Sequence, residues 1–225
     1  MSSDTPVVHS FYRGNIPHSV IAAQKSVFDH FGIPLRQDRN DKLTHGKWVD
    51  NLFRNGQDDI IVLADIDAFP LNRAAYDGLC ASAAEGAVVG LAQVANHKDP
   101  DRIYAGPMFM AVRRDVYEKL GQPGMERTPN SDVAQLVTDE AHKANVPVRL
   151  IAPRFAIQSK WPLADQGVFG IGTFYGEMEF FHLFQSRKRR TVELFEAVAR
   201  DTIAGRLDFG AYLDIIQRRK FLGLF

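Results

Sequence analysis

The chain has 225 residues, a 45% hydrophobic composition, and 27 basic side chains against 27 acidic ones. That is enough apolar material for one sizeable core. A formal net charge of zero supplies no global field to draw the molecule onto nucleic acid or an anionic membrane.

Strand and helix signals alternate from the start. Val7 to Phe11 reads as a short strand. Pro17 suits a first helical turn, and Val20, Ile21, Val27, Phe28 and Phe31 then recur at helical spacing until Gly32. Ile33 to Leu35 is a second strand candidate. Thr44 is placed to cap a helix with Trp48, Val49, Leu52 and Phe53 on one face, ended by Gly56. Ile60 to Ala64 is a continuous, mostly β-branched run, the pattern of a central strand covered on both faces. Asn72 caps a further helix to about Ala84, and Ala87 to Val94 is strand-like.

Tyr104 to Val112 is apolar again and runs into a short helix over Arg113 to Leu120. Gln122 to Asn130, with two prolines and a glycine, is a loop. Ser131 is placed to cap a helix carrying Val133, Ala134, Leu136, Val137 and Ala141. Val146 to Ile151 is a strand, Val168 to Phe184 extended structure with bends, and Thr191 to Ile203 and Phe209 to Ile216 two amphipathic helices. The first third is β-α-β-α-β, which predicts a largely parallel, right-handed layered sheet whose ligands sit beyond the carboxyl ends of its strands.

Asp65 and Asp67 follow the most apolar of these strands. Two carboxylates one residue apart can converge on one hard cation. A cation against two phosphates neutralises the charge that develops on a nucleoside-diphosphate leaving group. A second Asp-x-Asp, Asp99-Pro100-Asp101, has no strand before it and reads as a turn. Cys80, the single cysteine, excludes an intrachain disulfide, and its apolar neighbours suggest a small buried hydrophobe. The amino terminus lacks a basic segment followed by an apolar one, and no apolar run approaches the ~20 residues that cross a bilayer, so a cytoplasmic protein is expected.

The segment Ile60-Ile-Val-Leu-Ala-Asp-Ile-Asp-Ala-Phe-Pro-Leu71 resembles the metal-binding segment of GT-A fold glycosyltransferases. Three later segments follow in the family's order. Tyr104 to Leu120 is similar to the glycine-bearing strand and helix beside the donor sugar, Asn130 to Gln135 to an Asp-bearing helix start, and Phe180 to Arg187 to a late histidine segment. The layout is nearest the family-8-like type, with Tyr104-Ala105-Gly106 where that type has Asn-Ala-Gly, and with Gln185 to Lys188 where it has glycine and lysine.

The resemblance implies a single-domain α/β GT-A fold over 1–225, with a mostly parallel central sheet flanked by helices. Residues 5–95 would be the nucleotide half, 96–187 the sugar and acceptor half, and 188–225 C-terminal helices. It implies a manganese or magnesium ion on Asp65, Asp67 and His182. The donor would be a nucleoside-diphosphate sugar, a UDP-sugar for preference. The acceptor is a glycan, a small molecule or a modified nucleic-acid base. Asp132 would act at the sugar. Phe11, Tyr12, Arg13, Asp41, Ala64, Ile66, Gly106, Arg187 and Lys188 would line the donor. Gly106, lacking a Cβ, would allow close approach. The charge run from Arg187 to Arg190 opposes the helix dipole, which favours a phosphate partner over a merely solvated face.

Three other readings use the same residues. A nucleotidyltransferase has the same sort of sheet and metal, but it usually carries a Gly-rich, Arg/Lys-bearing loop after strand one, for which Arg13-Gly14-Asn15 is too short a match. A haloacid-dehalogenase-like phosphatase also carries Asp-x-Asp after a strand, although normally the first core strand. A non-catalytic nucleotide-sugar-binding module would keep the fold and lose the acids. The tail from Gln217 to Phe225 is basic, then apolar, and suits a membrane, a partner subunit or the core.

Overall fold

Strands β1 (Val8–Tyr12), β2 (Leu35–Arg39) and β3 (Ile60–Asp65) alternate with helices α1 (His18–His30) and α2 (His45–Asn55) in a computed structural model that describes residues 5–95 and 99–218. Next come β4 (Ala68–Pro70), α3 (Arg73–Ala84), β5 (Val88–Ala95) and β6 (Asp99–Arg113). They are followed by α4 (Arg114–Lys119), α5 (Gln135–Lys143) and β7 (Val148–Ile151). The remainder is β8 (Pro153–Pro162), β9 (Val168–Tyr175), β10 (Phe180–His182), α6 (Arg189–Ile203) and α7 (Phe209–Gln217).

Local chemistry sets several of these boundaries. The Thr44 side chain accepts from the Lys47 amide at 3.2 Å, and Asn72 accepts from the Ala75 amide at 2.8 Å, so α2 and α3 begin where their caps stand. Gly32, at φ +62°, ends α1 and turns the chain back toward the sheet.

A six-stranded sheet runs in the order β2-β1-β3-β6-β5-β7. Only β6 runs against the others, so the fold is mixed α/β with a mostly parallel central sheet. β3 is covered on both faces, as its composition requires. Val62 and Ala64 join one apolar cluster with Phe28, Leu79 and Phe109, while Ile61 and Leu63 join another with Trp48, Phe53 and Tyr117. A second, antiparallel sheet, β4-β10-β9-β8, packs onto the first cluster through Phe69, Phe174 and Phe181, with Phe195 of α6. Among the described residues no helix is long and apolar enough to cross a membrane.

Several sequence expectations need correction. β2 begins at Leu35, not Ile33. Ile33 is a core side chain whose amide is bound to the Phe28 carbonyl, and Pro34 has no amide to give to a sheet. Asp99, Pro100 and Asp101 open β6 instead of forming a turn. Ser131 does not cap α5. Its hydroxyl pairs with that of Thr128, Ala134 adopts φ +63°, and the helix starts only at Gln135. α6 starts two residues before Thr191. β4 and β8 were not expected. Residues 219–225 of the basic and apolar tail lie outside the described residues.

Candidate metal centre and its pocket

Asp65 is the last residue of β3 and lies in register with Phe11 of the parallel neighbour β1. It therefore stands at the carboxyl edge of the sheet, on the same rim as the ends of β1 and β2. A two-residue turn, Ile66-Asp67, then carries the chain into β4 and the second sheet. The buried Gln24 side chain clamps this turn. Its Nε2 donates to the Asp65 carbonyl at 2.8 Å and the Ala68 carbonyl at 2.9 Å, and its own Oε1 accepts from Gln37.

The second sheet brings up the third member. His182 of β10 pairs with Ala68 of β4, and the Leu183 amide donates to the Asp67 carbonyl at 2.9 Å. One ligand atom from each of Asp65, Asp67 and His182 lies within 4.8 Å of the other two. His182 Nε2 faces Asp65 at 3.8 Å and Asp67 at 3.7 Å, too long for hydrogen bonds. His182 Nδ1 is buried without a partner among the described residues, which leaves Nε2 as the nitrogen turned to the acids.

Burial raises both carboxyls well above the usual carboxylate range. For Asp67 the neighbouring Asp65 adds to the rise, and the Ser186 hydroxyl and His45 oppose it. Part of each side chain still faces the open mouth, 25% for Asp65 and 15% for Asp67, so solvent tempers the shift. Burial pulls the His182 imidazole down to about 3, so it is neutral and its lone pair is available. Two oxygens and one neutral nitrogen, with anions that burial disfavours, could hold a divalent cation.

These residues line a pocket of ≈ 220 Å³ whose wall also contains His45, Gln93, Tyr104 and Asp132. His45 is a member that sequence reasoning missed. It is the first residue of α2, and its Nε2 lies 3.2 Å from Asp65 Oδ1. Burial lowers its pKa, with Asp67 and Asp132 acting in the opposite sense. Its ring stacks on Phe11, at 6.0 Å between centroids. The Thr44 cap was the one local sign that a side chain here would be held in place. Asp132 sits in a loop, its amide donating to Gln135 Oε1 at 2.8 Å. The Tyr104 hydroxyl lies beside its carboxylate, and burial first, then Asp132, raises the Tyr104 pKa well above its ordinary value.

The other expected donor residues are placed as follows. Phe11 is buried against Trp48 and His45, so its ring is core packing rather than a free stacking face. Tyr12 is half-buried at the end of β1. Arg13 donates to the Asp41 carbonyl at 2.8 Å and Asp41 accepts from the Gly14 amide, which ties together the loops after β1 and β2. Ala64 and Ile66 are buried. Gly106 does not line the pocket. An added Cβ would lie 2.7 Å from Gln93 Oε1 and 2.9 Å from the Met108 side chain, so the glycine makes room for two wall residues. Arg187 and Lys188 do not line it either; each faces a separate cavity beside α6. Cys80 is buried, and burial pushes its thiol up to about 11.

No family model matches this chain, and no curated protein does. Several solved structures are similar to it in part, three of them as follows. CMP:2-keto-3-deoxy-manno-octonic acid synthetase complexed with CTP is 13% identical, over 65% of this chain and 89% of that one, with a TM-score of 0.38. A197 from STIV is 11% identical over 82% and 97%, with a TM-score of 0.45. A protein from Bacillus anthracis assigned as a glucose-1-phosphate thymidylyltransferase, in complex with a sucrose, is 13% identical over 86% and 76%, with a TM-score of 0.41. At such similarity none of them carries the functional reading, which rests on the site itself.

Proposed function

We propose that this chain is a divalent-cation-dependent glycosyltransferase of the GT-A type, with a nucleoside-diphosphate sugar, UDP-linked for preference, as donor. One observation carries the reading. Asp65 ends a strand of one sheet, His182 lies in the other, Asp67 stands in the turn between them, and the three converge in a pocket at the carboxyl edge of a mostly parallel sheet. Ligands of open α/β sheets bind at that edge. A manganese or magnesium ion held there supplies positive charge against a diphosphate as it leaves.

The chain's own residues orient and exclude. Gln24 fixes the turn through the Asp65 carbonyl, and His45 Nε2 faces the Asp65 carboxylate. Tyr12, Arg13 and Asp41, at the tips of β1 and β2, are assigned to the nucleoside. Asp132 is the carboxylate in the pocket that the acid pair does not use, and it is assigned to the sugar or to the acceptor hydroxyl. One domain serves both halves, the nucleotide on residues 5–95 and the sugar and acceptor beyond. Arg187 and Lys188 are left out of the donor site, because they line other cavities.

The test is calorimetric titration with UDP and GDP, each with and without manganese, followed by hydrolysis of the corresponding sugars. Binding should require manganese, and both Asp67→Ala and His182→Ala should abolish that requirement together with most of the affinity. Manganese-independent binding, unchanged in both variants, would overturn the proposal.

A further inference from the structure

A cavity larger than the metal pocket, ≈ 760 Å³, lies between β8, the start of α6 and the end of α7. Five cationic side chains line it: Lys160, Lys188, Arg189, Arg190 and Arg218. Glu193 is the single carboxylate, and it is already paired with Arg218 at 2.7 Å. Lys188 and Arg189 have no carboxylate partner among the described residues. Lys160 rests over the Trp161 ring at 5.6 Å, which leaves its charge unneutralised.

The backbone adds to this charge. Lys188 is the N-cap of the fifteen-residue α6, Arg189 and Arg190 are its first two residues, and there is no acid in the first turn. Cations at a helix amino terminus oppose the helix dipole. Placing three of them there, facing two more across a cavity, is locally unfavourable unless an anion enters. The wall is not all polar, since Ile171, Ile215 and Ile216 supply an apolar part. A volume of this size holds a small organic molecule rather than a lone ion.

The cavity also adjoins the metal pocket. Gln185 lines both. It is held at φ +68°, and its carbonyl accepts from the Lys188 amide and the Thr191 hydroxyl. The metal pocket itself has no lysine or arginine in its wall. Two neighbouring sites of opposite charge character therefore share one residue.

We infer that this basic cavity binds the phosphate of a second substrate, a phosphate monoester with an apolar body. Calling that substrate the acceptor rests on the glycosyltransferase reading above; the binding itself does not. The cations take the phosphate, the isoleucines take the apolar body, and the shared Gln185 wall puts the molecule beside the donor.

The experiment titrates decyl phosphate, glucose 6-phosphate and inorganic phosphate into the full chain without manganese, and in parallel UDP with manganese. Decyl phosphate should bind without the metal, at least tenfold more tightly than either of the other two. Lys160→Glu/Arg189→Glu should weaken decyl phosphate at least tenfold and leave manganese–UDP binding unchanged. Both positions are exposed, and a glutamate at the start of α6 suits the helix dipole, so the variant should fold. Asp67→Ala should show the converse pattern, which separates failure of the donor reading from failure of this one. Absence of decyl phosphate binding, or binding untouched by the double variant, would overturn the assignment. Equal affinity for glucose 6-phosphate would overturn its apolar half. Loss of manganese–UDP binding in the double variant would make the cavity part of the donor site.

Discussion

Asp65 and Asp67 are a poor pair to ionise together, since both are largely withdrawn from water and each raises the free energy of the other's charge. A raised carboxyl pKa means that a proton occupies the site at pH values where an ordinary carboxylate is empty, and a cation must displace it. Manganese affinity should therefore rise from pH 6 to pH 8, with proton release at the lower pH. Calorimetry in two buffers of different ionisation enthalpy measures that release, and pH-independent affinity would contradict the burial argument. His182 stays neutral across this range and contributes no proton. Gln24 acts one step further out. Gln24→Ala leaves two buried carbonyls without their donor, which should destabilise the fold by about 1–3 kcal/mol. It should also weaken manganese binding by roughly 10–100-fold, as loss of a ligand-orienting residue does. Urea unfolding and manganese titration read the two effects separately. Asp132→Asn should lower turnover and leave manganese-dependent UDP binding near the parent value, because Asp132 is assigned to the sugar side.

The helices whose caps are local were the most legible elements. α2 and α3 start at Thr44 and Asn72 because a side-chain oxygen and an amide three residues on are already neighbours in the chain. Thr44→Ala should cost about 1 kcal/mol in urea unfolding. Because His45 is the next residue, it should also loosen the contact with Asp65. β3 was readable for a related reason, since burial on both faces leaves only apolar residues. β4 and β8 were not. β4 has three residues and ends on a proline, and β8 mixes Gln158, Ser159 and Lys160 with buried Ala156 and Ile157 without clean alternation. Each exists because a partner strand reaches it from afar. The acid pair was legible on the same terms as β3, and the whole site was not. His45 becomes a site residue only through a contact with Asp65, twenty positions along. Arg187 and Lys188 looked suited to phosphate by charge alone, but the turn at Gln185 directs them to other cavities.

At the level of the whole molecule, the metal centre straddles a seam. Asp65 belongs to the mostly parallel sheet and His182 to the antiparallel one, and Phe109 of β6 packs against Phe180 of β10 across the seam at 4.8 Å between ring centroids, with Phe69, Phe181 and Phe195 clustered behind it. Phe181→Ala should destabilise the protein by about 3–5 kcal/mol. As the neighbour of His182 it should weaken manganese binding more than an equally destabilising change under α2, such as Phe53→Ala. The seam also has a consequence in time. During synthesis the two acids leave the ribosome well before β10 and its His182, although the strands that β10 joins, β4 and β9, both precede it in the chain. A nascent or truncated chain carries the acid pair without the imidazole that completes the set. Under the proposed function, a cation held by all three donors would require that β10 has already docked, so cation binding would discriminate finished protein from unfinished protein by the order in which the three donors arrive.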